Sequence, residues 1–504
     1  MLDHTPSVRS ISPRWFRCVM LSLSLGVTAC AVGPDYQQPE QNTGNQYLGV
    51  QRVQGDTPAS SVSQVSPSAA VRGWVPVDPA RAELPAQWWQ LFSDPVLQQL
   101  MLDLNADNLS IAQAEAQYRQ AQATLQQARS GFFPVVGSNV SATRSGRGSD
   151  TGTAERTSNQ YSLGGAVSWE PDLWGRVRRS VEGSQAGVQA SQADLQAVRL
   201  SVQSLLAQTY FRWLGAGSQR TLLLNTQAAY ERSLQTVQNR LQVGIASPAD
   251  LEVSRTQLEN VRAQIVASDR ERALLRNALA VLVGKVPAAF DLPELAELPP
   301  VPVVPVGVPS TLLQRRPDIV AAERRVAQAN AQIGVAQAAW FPDLTLSAQG
   351  GYASGQWAQW LTAPASFWSL GPALALTLFD GGAREARLQE ARAAYDAQVA
   401  GYRQTVLDAL REVEDYLAEL DLLGQQSEVQ ARALRSARES LRLTTNQYDA
   451  GVLDYLSVVQ VEASALDAER VAIGLRIDRL LASVQLLAAL GGGWSMPIHP
   501  VTGS

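Results

Sequence analysis

The sequence predicts a mainly α-helical protein with a membrane β-barrel, in which long antiparallel coiled-coil helices carry inserted strand pairs. Three observations point there. The body of the chain is written twice; each half holds two segments of strict large–small alternation; and each half holds a helical stretch of about 68 residues.

Bulk composition narrows the function before any motif is read. Of 504 residues, 45% are hydrophobic, which fits ordered structure, and 41 basic residues against 46 acidic ones leave no basic excess for nucleic acid. The clusters Arg176, Arg178, Arg179 and Arg324, Arg325 fall in helical patterns and read as solvated faces. His4 and His499 are the only histidines, and no cysteine follows residue 30. A zinc site, histidine acid–base chemistry, a thiolate nucleophile and a structural disulfide are thereby excluded from the body of the chain. Carboxylate chemistry stays formally open. With no Gly-rich phosphate loop and no nucleophile elbow, neither an enzyme nor a cofactor is expected.

Residues 1–29 read as an export signal. Arg9, Arg14 and Arg17 precede the apolar run Val19–Val27, which is too short for a spanning helix of about 20 residues. The run ends in Val27-Thr28-Ala29-Cys30, similar to a bacterial lipobox, so Cys30 opens the mature chain with a covalent lipid. Ordinary signal cleavage beside an incidental cysteine is the alternative. Ala31, not Asp, follows the cysteine, and by lipoprotein resemblance this favours the outer membrane. A lipid anchors a chain but does not span the bilayer. Residues 30–93 follow as a lipidated arm, irregular through 37–80, where Gln, Ser, Pro and Gly dominate.

Shifting the body by about 208 residues brings out the repeat. Phe133-Pro134 lies over Phe341-Pro342, Asp172 over Asp380, Arg176 over Arg384, and Ile111 and Glu115 over Ile319 and Glu323. Gly244 then meets Gly451 and Gly284 meets Gly491, one residue having been lost. The first repeat, 94–285, reads as a helix near 95–130, strands 135–144 and 160–169, a long helix 174–242 and a helix 248–284. Pro-rich residues 286–310 cannot form a regular helix and read as an extended linker. The second repeat, 311–491, reads as helix 318–340, strands 343–353 and 367–378, helix 382–449 and helix 454–489. A tail, 492–504, closes the chain.

The strands alternate cleanly. Tyr161, Leu163, Val167 and Trp169 oppose Ser162, Gly164, Ala166 and Ser168, and Trp368, Leu370, Leu374 and Leu376 oppose Ser369, Gly371, Ala375 and Thr377. Each strand has about 10 residues, enough for a tilted bilayer crossing, with Tyr161, Trp169, Tyr352 and Trp368 near strand ends. A soluble, half-buried sheet alternates in the same way. If the strands meet lipid, no edge can face hydrocarbon and the sheet must close. Four strands are too few, since the smallest such barrels have about eight. Several protomers must then pool their strands.

A helix of about 68 residues is roughly 100 Å long and must pack along its length. Leu195, Val198, Val202, Leu205 and Thr209 form a coiled-coil seam, matched by Val406, Leu410, Val413, Leu417 and Leu420. The other faces carry Gln, Ala, Arg, Ser and Glu, which suits a hollow helical cylinder, with an elongated coiled-coil rod as the alternative. The hairpin turns follow Gly244 and Gly451, far along the long helices from the strands. Ser247, Pro248 and Asp250 nearly spell a capping box, and Asp454 and Ser457 stand at the matching turn. Asp250 and Asp454 either cap helices or face a lumen as an acidic ring.

"CAVGPDYQQP" (30–39), "WWQLFSDPVLQQL" (88–100), "EPDLWGR" (170–176), "LLQRRPDIVAAE" (312–323) and "LFDGGAR" (378–384) together resemble the bacterial outer-membrane efflux proteins, in particular their lipoprotein branch, along nearly the whole chain. Arg315, Arg316, Pro317 and Asp318 are the most specific part; physically, Pro317 suits the first helical position and Asp318 the helix dipole, a structural role. The resemblance implies a homotrimer with a 12-stranded barrel in outer-membrane lipid, four strands from each chain. It also implies a helical barrel through the periplasm that docks onto a periplasmic adaptor protein and an inner-membrane efflux pump. Family members close the periplasmic tip with aspartate rings and ionic contacts. Here Ser457 and Gln460 stand where the aspartate pair would be and Leu453 where some relatives have arginine, while Tyr448 is retained, so Asp250 is the better candidate for an acidic ring. The function expected is a passive exit duct for small molecules and drugs. A duct for type I protein secretion is the near alternative, and a non-conducting coiled-coil envelope scaffold the distant one.

Overall fold

The computed structural model describes residues 32–41, 43–50, 72–77, 84–147, 156–293, 297–311 and 315–494. The expected signal 1–29, Cys30 and most of the tail lie outside the described residues, as do parts of the arm and linker. In chain order the elements are β1 (Trp74–Pro76), α1 (Pro95–Asp107), α2 (Leu109–Ser130), β2 (Val135–Arg147), β3 (Arg156–Trp169), α3 (Arg176–Gln242) and α4 (Pro248–Leu282). They continue with β4 (Val304–Val306), α5 (Pro317–Ala338), β5 (Asp343–Ser354), β6 (Ser366–Ala375), α6 (Ala383–Asp449) and α7 (Tyr455–Ala489). Helices α2 and α5 have 22 residues each, α3 and α6 have 67, and α4 and α7 have 35. Among the described residues no helix is long and apolar enough to cross a membrane.

Five expectations need correction. The helix expected over 95–130 is two helices, because buried Asn108 turns its carboxamide onto the backbone. Its Oδ1 accepts from Ser110 N (2.9 Å) and Ile111 N (3.1 Å), and its Nδ2 donates to Leu282 O (2.8 Å). A short polar side chain that satisfies amides this way offers the backbone an alternative to helix. The linker is not wholly free: β4 pairs in parallel with β1, so arm and linker meet in a small sheet whose Trp74, Val304 and Val306 are buried. The strand bounds shift too: β2 runs on to Arg147 and β3 starts at Arg156, beyond the expected 135–144 and 160–169, while β6 stops at Ala375, short of 378.

The fourth correction concerns the first seam. Leu195 and Thr209 are buried as read from the sequence and Val198 and Val202 are half-buried, but Leu205 is 48% exposed, and beside it Leu206, Ala207, Tyr210, Phe211 and Leu214 are buried instead. The helix turns that face toward a short 3-10 helix, Trp88–Phe92, whose Phe92 ring lies 4.9 Å from Phe211. Tyr210 donates to Asp94 Oδ2 (2.9 Å), and Asp94 Oδ1 caps α1. An aromatic cluster brought in from a distant segment decides the buried face, and local periodicity cannot report it. In α6 the buried row is Val406, Val413, Leu417 and Leu420, the seam read from sequence, with Leu410 half-buried.

The chain divides into two compact units. One, drawn from residues 1–39, 120–189 and 324–400, holds the four-stranded sheet; the other, from 40–119, 190–323 and 401–504, holds the aromatic core just described and both helix-hairpin turns. In the first unit the long helices start alike. Asp172 accepts from Val177 N and Arg178 N, and Asp380 from Gly382 N and Arg384 N. The arginine pairing differs from the repeat alignment: Arg178 binds Asp172 and Arg176 binds Glu170, whereas Arg384 binds Asp380. Arg179 is no part of a solvated face, its side chain being only 6% exposed.

Candidate functional site

The four-stranded sheet has the order β2-β3-β5-β6, antiparallel throughout. Directly opposite residues share a face, so the register sorts the side chains. One face carries the rows Val136–Val167–Ala348–Leu370, Val140–Leu163–Tyr352 and Trp169–Leu346–Pro372. The other carries Ser141–Ser162–Ala353, Gly137–Ala166–Gln349–Ser369 and Val135–Ser168–Ser347–Gly371. One face is mainly large and apolar, the other mainly small and polar, with Val135 and Phe367 its large apolar members. Val136, Val140, Trp368, Leu370 and Leu374 stand exposed on the apolar face of the single chain. Strands β2 and β6 are the edges, each paired on one side only.

Aromatic side chains mark both ends of β5. Level with the last residue of β5, Tyr161 packs edge-on against Trp357 at 5.3 Å, while β2 and β3 run five residues further, so Tyr161 is not at the end of its own strand as expected. At the other end, Trp169 Nε1 donates to Phe132 O (3.0 Å), while Trp174 stacks on Phe341 at 4.9 Å and donates to Pro342 O (2.8 Å).

The second unit holds the hairpin turns. Gly244 (φ 77°) and Gly451 (φ 76°) take the left-handed conformation that ends a helix. Ile245 N then reaches Arg240 O (2.8 Å) and Val452 N reaches Gln447 O (2.9 Å). Asp250 sits in a reciprocal capping box, its Oδ2 accepting from Ser247 N (2.8 Å) while its own N donates to Ser247 Oγ (3.1 Å). Asp454 accepts from Ser457 N (3.0 Å) and Ser457 Oγ (2.6 Å), and the Ser457 hydroxyl holds its carboxyl below the usual range. Gln460 is exposed on α7. Tyr448 is half-buried beside Tyr455, whose hydroxyl lies 2.9 Å from Ser233 Oγ and donates to Ser254 Oγ (3.3 Å).

Sequence reasoning missed the residue that ties this tip together. Arg240 places its guanidinium 4.2 Å from the centroid of the Tyr448 ring and 3.5 Å from Asp449 Oδ1. Its position four residues before the turn glycine was visible, but its partners lie some 200 residues away along the chain.

Arg316 gives the Arg-Arg-Pro-Asp stretch its physical content. It binds Asp318 through Nε–Oδ1 (3.0 Å) and a terminal nitrogen to Oδ2 (2.6 Å), and it reaches Glu412 on α6 (2.7 Å) and Ala489 O on α7 (3.4 Å). Its side chain is 11% exposed, and these carboxylates outweigh burial to hold the guanidinium firmly charged. Pro317 opens α5 at its first residue, and Arg315 lies against Gly491, which leaves no room there for a Cβ. A cavity of about 280 Å³, lined in part by Arg316, Glu412, Tyr416 and Gln485, adjoins this clamp. Nearby, Glu414 accepts from Leu48 N (2.7 Å) and fastens the arm to α6.

Comparison with known proteins gives one consistent answer. The chain matches the family described as outer membrane efflux protein over residues 100–285 and 308–492. It is 32% identical over 488 residues to a probable efflux pump outer membrane protein, TtgC, of Pseudomonas putida, covering 94% of this chain and 95% of that one. It is 30% identical over 500 residues to the outer membrane protein OprJ of Pseudomonas aeruginosa, covering 95% and 97%. Among solved structures, the outer-membrane channel OprN superposes with a TM-score of 0.80 at 30% identity, covering 92% of this chain and all of that one. The MtrE outer membrane channel of Neisseria gonorrhoeae superposes with a TM-score of 0.76 at 28% identity, covering 92% and 98%.

Proposed function

This chain belongs to the outer membrane efflux protein family and is the outer-membrane component of an efflux system; from that premise we propose how it works as an exit duct. Three copies pool their four-stranded sheets into one 12-stranded barrel, and the two halves of each chain, one unit written twice, supply its helices to a common periplasmic tube. The tube docks onto an adaptor protein and an inner-membrane pump, which supplies the energy; this chain's role is transport, not catalysis. Relatives are named for the efflux of antibiotics and of toluene, and the compounds expelled through this chain are small molecules and drugs. Cys30 carries a lipid that tethers the arm to the same membrane, with the barrel as the main attachment.

The observation that carries this reading is the two-faced sheet with two open edges. A large apolar face and a small polar one suit lipid on one side and a water-filled lumen on the other. An edge cannot be left in hydrocarbon, so β6 of one copy must pair with β2 of the next. In this reading Arg240, Tyr448 and Asp449 close the tip, and the capping Asp250 and Asp454 shape its turns.

Reconstitution of purified protein into planar bilayers tests the duct. Discrete conductance steps, enlarged when Arg240 is replaced by Gln, are the expected result. A protein that never conducts, even with the tip altered, would falsify the duct and leave an envelope scaffold. Loss of solvent and drug tolerance in a deletion strain, with all secreted polypeptides unchanged, separates efflux from protein secretion. Palmitate labelling of the chain, abolished by Cys30→Ser, tests the lipid.

A further inference from the structure

We propose that residues 32–36 are a docked strap, clamped by Arg179, that fixes where the lipid on Cys30 leaves the protein and so registers the strand roots against the membrane surface. This rests on the lipid reading of Cys30 above.

The strap is tied to its unit at nearly every residue. Val32 N donates to Trp174 O (3.1 Å). Arg179 Nε donates to Val32 O (3.3 Å), and one terminal nitrogen donates to Gly33 O (3.1 Å) and Asp35 Oδ1 (2.9 Å). Asn330 Nδ2 donates to Pro34 O (2.9 Å), and the Arg324 guanidinium lies 5.8 Å from the Tyr36 ring centroid. Gly33, at φ 110°, approaches α5 so closely that a Cβ would stand 2.5 Å from Gly334 Cα. Two buried polar side chains on different helices therefore aim at the strap's carbonyls. Arg179 is 6% exposed, and with the strap gone its one remaining carboxylate would be Glu182 at 2.8 Å. The strap that covers this guanidinium also supplies three of its acceptors, which makes the docked strap part of the folded unit.

The strap ends at the roots of the sheet. Trp174, which holds Val32, also holds Pro342, the residue before β5, and stacks on Phe341. Two chain steps separate Cys30 from Val32, so the anchor is confined to within about 7 Å of a docked residue. An anchor held there keeps the sheet's Trp169 end at the membrane surface while chains find one another and pool their strands.

The test follows assembly in cells: the rate at which pulse-labelled full-length chain becomes heat-resistant oligomer in the outer membrane. Three versions are compared with the native chain. They are Cys30→Ser, a six-residue Gly-Ser insertion between Ala31 and Val32, and both together. The insertion adds up to about 20 Å of slack, yet leaves the strap, the Arg179 contacts and the cysteine in place. The insertion is expected to slow assembly several-fold, as much as Cys30→Ser does, with palmitate labelling intact, and the combined chain to be no slower than either. Such non-additivity marks one shared mechanism. Native-rate assembly of the labelled insertion chain, or additive slowing in the combined chain, overturns the strap and leaves the lipid reading standing. Absence of palmitate from the native chain overturns the lipid reading and the strap with it.

Discussion

At the scale of single residues, the acidic side chains at the tip divide between capping and titration. Asp250 is occupied by Ser247 in a capping box, so Asp250→Ala should cost about 1 kcal/mol of local stability and leave single-channel conductance unchanged; a rise in conductance would return it to a gating ring. Arg240 behaves oppositely. Its contact with exposed Asp449 contributes little alone, but together with the Tyr448 ring it joins α3 to the end of α6. Glu462 on α7 is the titrating group. Its Oε2 is buried without a hydrogen-bond partner, and burial pushes its carboxyl up to about 7; the facing Tyr230 is itself raised to about 12 by burial and by the charge of Glu462. A folded-state pKa above the unfolded value of about 4.3 means the folded chain binds the extra proton between those values. Stability should therefore fall as pH rises through that window and level off above about 7. Glu462→Gln should match the native protein in thermal unfolding at pH 5 and exceed it at pH 8, by on the order of 1 kcal/mol. An equal difference at both pH values would show that the proton is not involved.

At the scale of elements, much was legible because the chain writes its own boundaries. Gly244 and Gly451 end the two 67-residue helices, Pro248 and Pro317 open helices, and the large–small alternation marks where β2, β5 and β6 begin, though β3 starts at Arg156, four residues before the alternation shows it. What local pattern could not carry is choice among partners. Leu205 and Leu206 are equally apolar, yet the distant Trp88–Phe92 cluster buries one and leaves the other exposed. Asn108 reads as an ordinary helix residue until its carboxamide meets Leu282 O. Val304–Val306 reads as linker until Trp74–Pro76 lies beside it. The arginine stretch around 176–179 hides both a surface pair and a buried clamp, because charge runs look alike whatever lies opposite. Asn108→Ala tests the first of these long-range choices. It removes the cap of α2 and strands Leu282 O, so it should destabilise by about 1–3 kcal/mol in denaturant unfolding; an unchanged midpoint would mean that the break between α1 and α2 is set by packing instead.

At the scale of the whole molecule, the sheet asks for an environment that one chain cannot supply. An exposed apolar face, a polar face of small residues and two open edges are jointly satisfied by lipid outside, water inside and copies on either side. Leu370 and Ser369 are chain neighbours on β6 and belong to opposite faces, as their rows with Ala348 and Gln349 show. In the proposed barrel the same charge placed at each should therefore have opposite consequences. Leu370→Lys puts an ammonium into hydrocarbon, at a cost of about 2–4 kcal/mol near the bilayer midplane. It is multiplied by the number of copies that share a barrel, so little heat-resistant oligomer should form. Ser369→Lys puts the charge into the water-filled lumen, where oligomer should form normally and conductance should shift toward anions. A soluble half-buried sheet predicts the same order of damage, since the large apolar face would then be its packed core, but either lysine would leave ion selectivity untouched. Reversal potentials in a salt gradient decide between them, because only a closed barrel places the Ser369 side of β6 along an ion path.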